Sequence, residues 1–205
     1  MRLFVALAPP PAALDDLDAA FAPYRPARSD LRWTKRELWH VTLAFLGEVS
    51  EESLVKLEPR LERAARRHRG FPLSVAGAGA FPNPGRANVL WSGLAGDRRA
   101  LAELAATVNA AARRAGAAAP DAGRRFRPHL TMARCRMPAD VRPIVTALTG
   151  YQGPSWNAEA IYLIRSHLPS GAEPGNGPHY ETIGSWPLPA QPDGENGSHQ
   201  PIRTG

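Results

Sequence analysis

Cysteine is almost absent from this chain: Cys135 stands alone among 205 residues. No internal disulfide can form, and a reducing cytoplasm is the compartment that fits. Long apolar runs are missing too. None approaches the roughly 20 residues that a membrane-spanning helix needs, so no membrane partner is expected. The run from Leu3 to Ala8 is shorter than the roughly 7–15 residues of a signal-peptide core, and three prolines follow it at once. It reads as a first strand. Metal-ligand patterns are lacking: there is no His-x-His, no His-Asp pair and no HExxH, so neither a metal nor another cofactor is expected. Lysine is scarce, with Lys35 and Lys56 the only two, and arginine therefore carries nearly all the charge behind the balance of +6. Arginine grips phosphate through a planar fork, which suits an anionic partner. An arginine- and alanine-rich genome would give the same excess, so charge hints at the partner and says nothing about chemistry.

What is present has an order. After the first strand, Pro11 to Tyr24 spaces Leu14, Leu17 and Phe21 along one face of a helix. Trp39 to Leu46 reads as a strand closed by Gly47. Ser50 can cap a helix through about Arg69, with Pro59 expected to kink or split it. Phe71 to Ala80 and Ala87 to Leu94 read as paired strands around the Pro82-Asn83-Pro84-Gly85 turn. Arg98 to Ala115 is a helix. The succession then repeats: a strand from His129 to Arg134, a helix from Ala139 to Leu148, and strands near Trp156 to His167 and Tyr180 to Trp186. Strand, helix, strand, strand thus occurs twice, which predicts an α+β protein of two similar lobes, the chain's two ends meeting in one of them. Residues 1–187 form a single domain in this reading. Residues 188–205, rich in Pro, Gly, Asn and Ser, read as a disordered tail.

The two repeats open alike, on His40-Val41-Thr42-Leu43 and His129-Leu130-Thr131-Met132. Side chains alternate along a strand, so His40 and Thr42 share one face while Val41, Leu43 and Phe45 share the other. The apolar face goes to the core, and the His/Thr face is free to line a cleft. A lone strand histidine is usually structural. Six histidines and eight threonines give roughly 0.2 such triplets by chance, yet two stand at equivalent places. Hydrolysis of a cyclic phosphodiester needs a base for water and an acid for the departing ribose oxygen. Two imidazoles near neutrality supply one of each. The threonine hydroxyls can donate hydrogen bonds to phosphate oxygens as charge builds there.

With these motifs in view, the stretches MRLFVALAPP, WHVTLAFLGEV and FRPHLTMAR resemble the bacterial RNA 2′,3′-cyclic phosphodiesterases of the two-histidine (2H) phosphoesterases, once called 2′-5′ RNA ligases. The resemblance covers residues 1–187. It implies a bilobal fold, two pseudo-symmetric antiparallel sheets with outer helices and a central groove. It also implies metal-independent opening of 2′,3′-cyclic phosphate ends of RNA to 2′-phosphate ends. The chain is expected to act as a monomer. By family order His40 is the proton donor to the ribose 3′ oxygen, His129 is the base acting on water, and Thr42 and Thr131 bind phosphate.

Other residues carry less. Arg124, Arg125 and Arg127 stand just ahead of His129, where they can grip an RNA backbone or form a solvated basic loop. Arg134 falls on the wrong face by strict alternation and reaches the groove only if the strand ends or bulges first. Trp39 points to the core. His68, His167 and His179 lack the threonine partner and read as structural or surface groups. Three further readings use the same motif: an enzyme for another small cyclic nucleotide phosphate, a binding module without turnover, and RNA joining through 2′-5′ linkages as the reverse reaction.

Overall fold

Short apolar runs broken by glycine and proline become strands, and longer amphipathic ones become helices. The computed structural model describes residues 1–118, 125–167 and 178–190. In chain order the elements are β1 (Arg2–Leu7), α1 (Pro11–Phe21), β2 (Leu31–Trp33), β3 (Val41–Glu48), α2 (Glu51–Ala65), β4 (Phe71–Phe81) and β5 (Ala87–Gly96). Then come α3 (Arg98–Ala115), β6 (Leu130–Ala139), α4 (Arg142–Ala147), β7 (Trp156–Ala158), β8 (Ala160–His167) and β9 (His179–Pro187). The strands form two antiparallel sheets, ordered β3-β1-β8-β9 and β2-β6-β5-β4-β7.

Capping fixes the helices where the sequence signals it. Ser50 accepts a hydrogen bond from the Ser53 N–H, and Asp97 accepts one from the Ala100 N–H. Gly116 ends α3 in the left-handed conformation, at φ 71°. Helices α2 and α3 pack together, with α3 against β3, while α1 and α4 lie against β4. Leu3, Val5, Val41 and Leu163 of one sheet, and Leu73, Leu90, Leu130 and Met132 of the other, are buried together with Leu17, Phe21, Leu57, Leu61, Leu104 and Val108 of the helices. Each such side chain contributes about 1.5–3 kcal/mol on burial.

The two lobes exist, but they are not the two repeats. β3 sits in one sheet while the β4–β5 hairpin that follows it sits in the other. β6 and the β8–β9 hairpin are exchanged in the same way. Each lobe therefore joins the histidine strand of one repeat to the hairpin of the other, and the chain's two ends share the β1 sheet. The stretch from Trp156 to His167 is two strands in different sheets, with Glu159 at the crossing. Strand β2, of three residues, had no sequence signal. Pro59 neither splits nor ends α2, because it stands on the exposed side where water can take the carbonyl it leaves unpaired. α2 stops at Ala65, four residues short of Arg69. The chain stays attached beyond 187. Leu188 is buried, its N–H donates to the Glu159 carbonyl at 2.7 Å, and the Pro189 carbonyl accepts from Gly70 at 2.8 Å. The remainder of the expected tail, 191–205, lies outside the described residues.

Candidate active site

His40 and His129 each stand one residue before a strand, β3 and β6 respectively, and each is held in the same way. His40 Nδ1 lies 2.7 Å from the Leu38 carbonyl, and His129 Nδ1 lies 2.7 Å from the Arg127 carbonyl. A carbonyl only accepts, so Nδ1 carries the proton in both rings and Nε2 is left for chemistry. Trp39 is buried, as expected, with its indole N–H donating to the Thr34 carbonyl at 3.1 Å. That anchors the approach to His40. Aromatic rings wall both imidazoles: Phe4 and Tyr180 at 4.6 and 5.4 Å from His40, Phe81 and Trp91 at 5.0 and 6.2 Å from His129.

Thr42 and Thr131 follow on the partly exposed side of their strands. Beyond them each strand bulges. Thr42 pairs with Ala6 but Ala44 pairs with Val5, so Leu43 is an extra residue. Thr131 pairs with Trp91 but Ala133 pairs with Leu90, so Met132 is extra. In each case two successive residues are buried, Leu43 with Ala44 and Met132 with Ala133, and the alternation restarts in the opposite phase. Phe45 therefore leaves the core face expected for it and stands 64% exposed. Arg134 is exposed on the side of His129 and Thr131, the bulge supplying the condition it needed.

His129 acts electrostatically on His40. Burial pushes His40 down to about 4, against the pull of the Leu38 carbonyl, and the positive charge of His129 lowers it further. His129 is also lowered, first by burial, with the Arg127 carbonyl opposing and Arg134 adding to the fall. Burial raises the Tyr180 phenol, while Arg134 of the other sheet and Arg2 act to lower it. Groups of both sheets thus face one groove.

A family model described as LigT-like phosphoesterase matches residues 7–91. An RNA 2′,3′-cyclic phosphodiesterase of Thermus thermophilus is 32% identical over 204 residues, which are 98% of this chain and 94% of that one. The chain belongs to the LigT-like phosphoesterase family. A relative of the same description from Geobacillus stearothermophilus is 31% identical over 80% of the chain, which spans half of that protein's length. The crystal structure of Escherichia coli LigT complexed with 3′-AMP aligns at a TM-score of 0.71 and 28% identity, over 91% of this chain and 97% of LigT.

Further side chains of this LigT-like chain gather around His129. Arg125 and Arg127 line a cavity of about 470 Å³ together with His129, Phe81, Trp91 and Arg98. The Arg127 guanidinium lies 6.0 Å from the Phe81 ring centre. Arg124 falls outside the described residues. Trp91 lies flat across Gly79, where an added Cβ would meet the indole at 2.2 Å. Among the described residues no three His, Cys, Asp or Glu side chains gather as a metal would require. Outside the groove, His68 bonds Thr107 at 2.8 Å and His167 bonds Glu181 at 2.9 Å. Sequence reasoning missed Arg98, Phe81, Trp91, Tyr180 and the true side of Phe45. The Gly79–Trp91 pair was not legible, because closing the expected strands on the Pro82 turn sets Gly79 opposite Asn88, whereas the observed register pairs it with Trp91.

Proposed function

We propose that this LigT-like phosphoesterase opens 2′,3′-cyclic phosphate ends of RNA to 2′-phosphate ends, with His40 and His129 as the acid–base pair. The supporting observation is the matched anchoring of the two rings, each with a proton on Nδ1 and with Nε2 available to the groove. His129 Nε2 takes a proton from water as the water oxygen attacks phosphorus. The P–O3′ bond breaks, and protonated His40 gives its Nε2 proton to O3′, leaving the phosphate on O2′. The assignment of donor and acceptor follows family order, since the two anchors are alike.

Thr42 and Thr131 donate hydroxyl hydrogen bonds to the phosphate oxygens, and Arg134 answers the negative charge beside them. Phe45, exposed beside the His40 wall of Phe4 and Tyr180, offers a flat apolar surface to the base of the terminal nucleotide. Its ring reads no base edge, so it tolerates any base. Arg125 and Arg127 add positive potential along the His129 side for a polyanion. Among the described residues no helix is long and apolar enough to cross a membrane, and the lone cysteine suits a reducing cytoplasm. The test is turnover of a 2′,3′-cyclic nucleotide by His40→Ala and by His129→Ala. Loss in both supports the pair, and near-normal turnover in either removes that histidine from the mechanism.

A further inference from the structure

The two bulges differ in what holds their carbonyl. In β6 the Met132 carbonyl accepts from the backbone N–H of Thr34 at 2.8 Å, just past the end of β2, which flanks β6 on its outer side. β3 has no such neighbour, because it is the edge of its sheet. There the Leu43 carbonyl accepts from the Asn109 side-chain amide at 3.0 Å, reaching from α3 behind the sheet. The same amide nitrogen donates to the Ala105 carbonyl of its own helix at 2.8 Å, so both of its hydrogens are engaged. Asparagine weakens a helix interior relative to alanine, and α3 is otherwise rich in alanine at this point. A side chain that favours neither the helix nor the apolar core has its use in the bond to Leu43.

We infer that Asn109 is a positioning residue: its amide replaces the strand that β3 lacks, pins the Leu43 bulge, and so aims Phe45 into the groove. This rests on the reading of Phe45 as the surface that meets the base. An unpaired carbonyl behind a sheet is costly, and a bulge that loses its tie turns to find another donor. Residues before the bulge stay put, because Val41 and Thr42 are paired with Leu7 and Ala6 of β1. Residues after it are paired too, Ala44 with Val5 and Phe45 with Phe4, but across the break in register at Leu43, so the way they face depends on how the bulge is held. Asn109 therefore governs the base contact and leaves the proton transfers at His40 nearly untouched.

Steady-state kinetics on 2′,3′-cyclic CMP test this with Asn109→Ala and Asn109→Asp. The aspartate keeps the shape but has no N–H to give. In both variants KM is expected to rise on the order of 5-fold, part of the loss that deleting a stacking ring causes. The expected change in kcat stays within about 2-fold, and far-UV circular dichroism verifies the fold. Methyl ribofuranoside 2,3-cyclic phosphate, which has no base, should be turned over as by wild type. In a Phe45→Ala background, Asn109→Ala should add nothing, since both act through one ring. Equal losses with and without the base, or additive losses in the double variant, overturn the role of Asn109 alone. An unchanged KM in Phe45→Ala itself overturns the stacking surface and this inference with it.

Discussion

At His40 and His129 an imidazole is tied through Nδ1 to a carbonyl two residues back and walled by aromatic rings. In the proposed mechanism each ring performs one proton transfer, so His40→Ala and His129→Ala should each lower turnover by about 10²–10⁴-fold. The double variant should be little worse than either single one, since the pair acts as a unit. The free protein favours the neutral form of both rings, His40 most strongly at about 4. The mechanism needs His40 protonated and His129 neutral, so kcat/KM is expected to peak below pH 6.5, the ordinary imidazole value, and to fall as pH rises. A bound cyclic phosphate carries negative charge, which raises both values, so the kcat profile should lie at higher pH than the kcat/KM profile. Coincident profiles on 2′,3′-cyclic CMP would argue against an anion seated between the rings. The two His-x-Thr pairs could be singled out as candidates in the sequence because a rare triplet recurs at equivalent places. Phe45 and Arg134 were not, because one inserted residue reverses every side chain after it and leaves no mark in composition.

Among the elements, the β4–β5 hairpin builds the wall behind His129. Gly79 of β4 leaves the space in which the Trp91 ring lies. Gly79→Ala places a methyl group where the ring is, so Trp91 must move off and the His129 ring loses a neighbour. Turnover should fall with the overall fold retained, and the Trp91 contribution to fluorescence should change. Wild-type turnover in a folded Gly79→Ala protein would show that the wall does not orient His129. Helices α1 to α3 were readable from their apolar spacing, α3 to the residue, whereas the helix expected from Ala139 starts only at Arg142, because β6 runs on to Ala139. The crossing at Glu159 was not, since Trp156 to His167 is a nearly unbroken strand-like run. Its assignment to two sheets is decided by partners distant in sequence.

On the scale of the whole molecule, the sequence showed a duplicated order but could not show that the copies exchange their hairpins. That exchange places one histidine strand in each sheet and lets Arg134 of one lobe act on Tyr180 of the other. The arginines on the His129 side then matter more for a polymer than for a single nucleotide. The KM for an RNA ending in a 2′,3′-cyclic phosphate should rise steeply with salt, whereas that for 2′,3′-cyclic CMP should hardly change. A flat response for RNA would leave the chemistry standing and remove the arginines from RNA binding. The chemistry itself rests on which bond breaks, and a single reaction reads it. Synthetic RNA with a 2′,3′-cyclic phosphate end, incubated with the protein in excess EDTA, should yield RNA ending in a 2′-phosphate, with His40→Ala and His129→Ala both inactive. A 3′-phosphate end, or turnover that needs an added divalent ion, would contradict the two-histidine account.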